Sequence, residues 1–379
     1  MTGGLKPFST ASLIVATLAC SQNAWAWGET GHNIIGRVAA RLVRDSAPEP
    51  LSKFVEYKVE MMGHLCNIPD ISWRDAPEKI SDSNSPTHYI DVEYLLADGK
   101  TLDFKAFPKT ILDAQKVLDA HCKANENAEL CPKGNSFSEK MDRVGTNPWR
   151  IQQLLTMATA RMKAFSERPK AKSSKDEKRD SEGIQMADDV ATFWGISGHF
   201  VGDLANPLHT TTDYDGWKRN QGGLHQYFET DLVNYAPLDL TQDVYDYIRI
   251  KKPWENIILP ILKRNGADQN DFFLNALALI ENSFGNIDAL YQLDEKISLV
   301  GKSLMKNGTK VPAQRKDLKE AYGKYREFII ARLALAADTL GHLWMISWEK
   351  AGKPELNLYN SYNYPLNPVY IWPDYLKAN

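Results

Sequence analysis

The chain has 379 residues, 45 of them basic and 48 acidic, for a net charge of −3, and 43% are hydrophobic. Those values describe an ordinary soluble globular protein. With no basic run to track a phosphate backbone, they weigh against a nucleic-acid substrate without excluding one. Four cysteines without a CxxC pattern weigh against a cysteine-based zinc site.

Residues 1–26 have the pattern of a cleaved secretion signal. Lys6 opens it, an apolar run covers Ala11 to Ala19, and Ala24-Trp25-Ala26 offers small residues around a cleavage point. The run is too short to span a bilayer, so the expected location is secreted or periplasmic, with Trp27 as the new N-terminus. Lipidation at Cys20 competes with this reading. Export suits a disulfide between Cys122 and Cys131, which flank a short polar loop, and leaves Cys66 unpaired.

After the cut, Trp27-Gly28-Glu29-Thr30-Gly31-His32 precedes an amphipathic helix with Ile34, Ile35, Val38, Ala39, Leu42 and Val43 on one face. A terminal amine at Trp27 and His32 are able to chelate one metal; as plain structure they would be an N-terminal plug and a helix cap. Trp73-Arg74-Asp75 falls in a loop between Pro69 and Pro77, and Pro86 to Asp91 alternates like a short extended segment. Asp75 and His88 are candidate ligands, and Asp91 is placed to orient one of them. Val92 to Phe107 and the Cys122–Cys131 region look like loops and short pieces.

Helical period returns from Asn147, with Ile151, Leu154, Leu155, Ala158, Met162 and Phe165 on one side. Residues 170–182 are charge-dense and apolar-poor, a solvated surface insertion rather than a domain boundary. The expected organisation is one domain over residues 27–379.

The chemistry is concentrated between Phe193 and Glu229. His199 and Asp203 are four apart, as are His225 and Glu229, so each pair shares a helix face. His209 follows Pro207 and reaches the same region. Imidazole with carboxylate is a zinc donor set. One HxxxD pair alone is ordinarily a surface or capping pair, but two such pairs plus a PLH are hard to explain without a metal. Gly195, Gly198 and Gly202 form a stripe that suggests a backbone pressed against a neighbour.

Further on, Trp254 to Leu262, Phe272 to Leu293 and Leu318 to Trp348 carry apolar stripes, with His342 as a structural helix residue. The tail, 354–379, is rich in Tyr, Pro and Asn. It either packs on the domain, the favoured reading, or meets a membrane or partner through Tyr370, Trp372 and Tyr375.

In order, the chain shows WGxxGH, a Trp-x-Asp loop, HxID, HxxxDxxxPLH and HxxxE. This series resembles the trinuclear-zinc superfamily of bacterial phospholipases C and fungal and plant single-strand nucleases. The resemblance implies an all-α, compact multi-helix fold with a trinuclear zinc cleft. It implies three zinc ions per chain: one on Asp75, His88, His199 and Asp203, one on Trp27, His32 and the bridging Asp203, and one on His209, His225 and Glu229. It further implies phosphodiester hydrolysis by a zinc-bridging hydroxide, with Arg74 or Lys79 adding positive charge.

Two branches compete. The Trp27–His32 spacing is nuclease-like, and Tyr89 and Asp91 correspond to an aromatic and an acid that hold a base. Glu229 and GGLHQYFE resemble the phospholipase C motif, and Glu78 stands where nucleases carry an arginine, three residues beyond Asp75. The expectation is therefore a phospholipase C acting on phospholipid at a membrane surface. The alternatives are a single-strand-specific endonuclease/3'-nucleotidase and, remotely, a secreted metal-stabilised binding protein. No obligate protein partner is expected.

Overall fold

Helix α8 (Ser181–Ala205) runs through the centre of the molecule and carries two of the candidate ligands. The computed structural model describes residues 27–124, 131, 137–168, 180–356 and 365–376. The expected signal, residues 1–26, lies outside them, as do 170–179 of the charged insertion. Asp180, at the end of that run, caps α8 by accepting a hydrogen bond from the Gly183 amide at 2.9 Å.

The described residues are mostly helical. It opens with α1 (Gly28–Ser46), α2 (Glu49–Glu56), α3 (Val59–Ile68) and α4 (Glu78–Asn84). There follow α5 (Ile111–Ala124), α6 (Phe137–Val144), α7 (Asn147–Glu167) and α8. Beyond it lie α9 (224–235), α10 (Leu240–Lys251), α11 (254–264), α12 (Phe272–Phe284), α13 (Ile287–Ile297) and α14 (Leu318–Lys350). α8 is packed on by α7, α3 and α14, and α1 lies across α3 and α14.

The glycine stripe of α8 explains how close these helices come. A Cβ at Gly195 would lie 2.4 Å from Leu65 Cβ, and one at Gly198 2.4 Å from Cys66 Sγ. One at Gly202 would lie 2.9 Å from Ile35 Cδ1 and 3.0 Å from the His32 ring. α3 and α1 thus rest directly on the α8 backbone, and this brings His32 to Asp203. Trp194 and Trp344 stack at 5.7 Å between α8 and α14; burying such a ring contributes about 2–3 kcal/mol. α14 is long and apolar enough to cross a membrane by length and composition, but 83% of that window is buried within the protein. It is a core helix.

The structure departs from the sequence expectations in several places. The Pro86–Asp91 segment begins as a 3-10 turn (Ser85–His88), where Pro86 sets the first dihedral, and becomes extended only at Tyr89 (φ −143°, ψ 174°). Pro69 does not end α3: the helix continues as a π-helical turn, Pro69–Trp73. α5 occupies part of the region read as loop, and Cys122 on its last turn is bonded to Cys131. The stripe expected over 272–293 is broken at Gly285 and Asn286 into α12 and α13. Between α13 and α14 lie four short strands: β1 (Leu299–Gly301) pairs antiparallel with β4 (Gln314–Arg315), and β2 (Leu304–Lys306) with β3 (Thr309–Val311).

The described part of the tail, 365–376, packs on α4 and α7. Arg150 Nη2 donates to Ile371 O at 2.6 Å, Gln153 Nε2 to Trp372 O at 2.8 Å, and Tyr370 Oη to Ser83 Oγ at 3.0 Å.

Candidate metal centre

Three groups of buried side chains converge at the C-terminal end of α8. His32, His199 and Asp203 form one, Asp70, His88 and His199 the second, and His209, His225 and Glu229 the third; each could hold a metal ion. Asp203 faces two groups at once. Its Oδ1 lies 3.4 Å from His32 Nε2, while Oδ2 lies 3.2 Å from His88 Nδ1 and 3.4 Å from His199 Nε2. In the third group Glu229 Oε2 is 2.8 Å from His225 Nε2 and 3.3 Å from His209 Nε2.

The surrounding backbone sets the imidazoles. His199 Nδ1 lies 2.7 Å from Cys66 O, and His209 Nδ1 lies 2.9 Å from His88 O. A ring that donates from Nδ1 to a carbonyl leaves Nε2 unprotonated and directed into its group. Asn206, between α8 and the PLH turn, donates to Glu229 Oε2 at 2.8 Å and accepts the Leu208 amide at 3.1 Å. It therefore ties the third group to α8. Sequence reasoning missed this residue, although it stands within the DLANPLH motif.

The donor set fits divalent cations. Both carboxylate oxygens of Asp203 and Glu229 Oε1 are buried and accept no hydrogen bond, and Asp70, equally buried, has the Arg74 guanidinium at one oxygen while its Oδ2 accepts no hydrogen bond. Buried charge in that condition costs several kcal/mol unless a counter-charge is present. Burial pushes Asp70 up to about 7 and Asp203 well above the usual carboxylate range, and it drives His88 and His199 well below that of imidazole. Metal ions held at these positions would remove the penalty on the carboxylates and would take the neutral imidazoles as they stand.

The structure brings a different aspartate to the centre than the expected Asp75. Asp75 is exposed and outside all three groups, and the carboxylate in its place is Asp70, 2% exposed. The reason is local. α3 runs on through Pro69 as a π-helix, so Asp70 keeps a helical orientation towards His88, while Asp75 lies past the end of that turn. The same register places Arg74 one wide turn after Asp70, with Nη2 2.6 Å from Oδ1. Arg74 stands four residues after Asp70, whereas the nuclease spacing of three falls on Trp73.

Trp27 is fully buried, and its indole Nε1 donates to Gly202 O at 2.7 Å, one residue before Asp203. The N-terminal edge of α1 is thereby fixed beside the first group.

A cavity of about 760 Å³ opens over the centre. His88, His209 and His225 form part of its floor, with Arg74, Tyr89, Asp91, Tyr94, Tyr214 and Lys218 among the walls. Burial, with Glu93 nearby, pushes Asp91 up to about 8. Ile90 N donates to His209 O at 2.9 Å and Asp91 N to Val144 O at 2.7 Å, so this segment is held against the third group and α6. Lys79, suggested as a further positive charge, lies instead over the Trp372 ring at 5.3 Å.

A family model described as S1/P1 Nuclease matches residues 27–240, which carry all three groups. The chain belongs to the S1/P1 nuclease family. It matches none of the curated proteins compared with it. As an S1/P1 nuclease family member it is a metal-dependent phosphoesterase. The matched family is that of the nucleases, so the alternative reading is favoured over the expected phospholipase C.

Proposed function

We propose that the protein is a zinc-dependent phosphodiesterase that cleaves single-stranded nucleic acid, with the three groups holding three zinc ions. The observation that carries this reading is the make-up of the cavity. Leu208 is the one aliphatic residue among those lining it, beside three tyrosines and several charged or amide side chains. Such walls suit bases, which stack on aromatic rings and hydrogen-bond at their edges. A diacylglycerol moiety would need a continuous apolar surface. Arg74 beside Asp70 supplies a guanidinium at the centre, although the position three residues after Asp70 is Trp73.

The residues assigned to zinc are Asp70, His88, His199 and Asp203; Trp27, His32 and Asp203; and His209, His225 and Glu229. Bound zinc supplies Lewis acidity towards phosphoryl oxygens and makes water a competent nucleophile near neutral pH. The chain supplies position and charge. Arg74, in the cavity wall beside Asp70, offers guanidinium donors to the negative charge that grows on the phosphoryl group. Tyr89 and Tyr214 offer ring surfaces. Asp91, neutral up to about pH 8 by its raised pKa, is able to donate to a base as well as accept from it. Secretion is part of the same proposal, supported by the Cys122–Cys131 disulfide.

The test is to offer protein beginning at Trp27 single-stranded DNA, single-stranded RNA, phosphatidylcholine and phosphatidylglycerol side by side. Turnover of the nucleic acids is expected. Hydrolysis confined to the lipids would overturn the reading.

A further inference from the structure

The segment between α13 and α14 contains a feature that no linear charge run reveals. From Leu299 to Lys316 it holds Lys302, Lys306, Lys310, Arg315 and Lys316 and no acidic residue, in a chain of net charge −3. Arg315 is committed internally, with Nη2 2.9 Å from the buried Asp294. The four lysines are exposed, and none forms an ion pair among the described residues. β2 and β3 close around Asn307 (φ 51°) and Gly308 (φ 78°). Both residues of that tight turn are left-handed, the conformation that Asn-Gly adopts most readily. β2 is exposed along its length, so the hairpin projects from the body.

The arm is fastened to the wall of the cavity. Ser303 N donates to Asn220 O and Ala313 N to Gly222 O, both at 2.9 Å. Arg315 Nη2 donates to Gln221 O, and Lys310 Nζ stands 5.0 Å over the Trp217 ring. The loop they grip, 212–223, carries Tyr214 and Lys218 of the cavity and leads directly into His225. The same loop thus joins Lys218 of the cavity to the lysine-bearing hairpin, and it also carries Asp213 and Asp215.

We infer that this hairpin is an extended binding arm for the phosphate backbone of single-stranded nucleic acid, engaging nucleotides beyond those at the metal centre. The inference rests on the nuclease reading above and lies outside the family-matched region, residues 27–240. Exposed lysines without an ion pair among the described residues, on an arm bonded to the loop that supplies Tyr214 and Lys218 to the cavity, fit a polyanion that leaves the cavity at this side. Val300, Leu304 and Met305 are 51–66% exposed on the same segment, which makes an anionic membrane surface the competing occupant to be tested.

The experiment compares the protein starting at Trp27 with its Lys302→Gln/Lys306→Gln/Lys310→Gln variant. Binding of a labelled single strand of about 30 nucleotides is read by fluorescence anisotropy across a salt series, beside cleavage of that strand and of a dinucleotide. KM for the long strand should rise about tenfold or more with kcat and dinucleotide turnover unchanged, and the salt slope should fall by about 0.7 per lysine that contacts a phosphate. Equal affinity and equal salt slope in the two proteins would overturn the arm. So would unchanged strand binding with loss of binding to phosphatidylglycerol vesicles. A parent protein that binds the strand through these lysines but cleaves no nucleic acid would sink the nuclease reading and leave the arm standing.

Discussion

Arg74 Nη2 lies 2.6 Å from Asp70 Oδ1, across one π-helical turn. That pair puts a guanidinium at the edge of the metal centre and identifies which aspartate faces it. It also separates Asp70 from Asp75, the only one of the two that the sequence motif singled out.

Asp70→Asn should lower zinc content and reduce turnover by at least roughly 100-fold, since it removes a charged donor from a buried site. Asp75→Asn should leave both within about twofold, as expected of an exposed residue outside the groups. Elemental analysis with steady-state kinetics checks this; the reverse pattern would restore Asp75.

Arg74→Ala should reduce kcat by about 10²–10³-fold while the zinc content holds, the size expected for losing a preorganised donor to transition-state charge. Arg74→Lys should recover part of that loss, because a point charge replaces only part of a planar fork. Loss of zinc in parallel with activity would instead mark Arg74 as a support for Asp70.

Asp203→Asn keeps the side-chain shape but removes the charge that faces both His32 and His88. Two zinc ions should be lost together, with turnover falling by at least roughly 100-fold. Glu229→Asp shortens a donor in the third group and should cost roughly tenfold or less. Near-normal turnover of Asp203→Asn would refute the bridging assignment.

One extra residue before Trp27 converts the proposed amine donor into an amide, a poor ligand. The indole still has its seat on Gly202 O, so the fold should persist by circular dichroism. Zinc content and turnover should both drop, turnover by roughly 100-fold or more. Equal values in the two forms would show that Trp27 only plugs the core.

Asp91 gives a pH signature. Its folded pKa, pushed up to about 8, lies above the ordinary 3.8, so folding favours the protonated form. That contribution to stability is complete below about pH 4 and is lost as pH rises through about 8. Asp91→Asn, which does not titrate, should therefore gain stability relative to the parent across this window. KM for the parent should rise above pH 8 by roughly a few-fold as the donor is lost, and the variant should not show that rise. Urea melts and kinetics at pH 5, 7 and 9 check both; parallel pH curves for the two proteins would remove Asp91 from the cavity's chemistry.

Much of the centre was legible because it is local. His199 and Asp203, and His225 and Glu229, meet through helical spacing alone, and α8's glycine stripe announced a tight neighbour without naming it. The helical class followed from apolar periodicity. What the sequence could not decide depended on backbone that departs from regular period. Whether Asp70 or Asp75 faces the centre turns on a π-helical continuation through Pro69, against proline's usual reading as a stop. The lysines at 302, 306 and 310 come onto one arm only because an Asn-Gly turn folds β2 onto β3, with Lys306 and Lys310 on opposite faces of the hairpin, and backbone bonds tie that arm to the loop 212–223. Burial, too, belongs to the tertiary structure: the same carboxylates and imidazoles would titrate normally in water, and only the enclosing helices strip that water away and make a cation the natural counterpart.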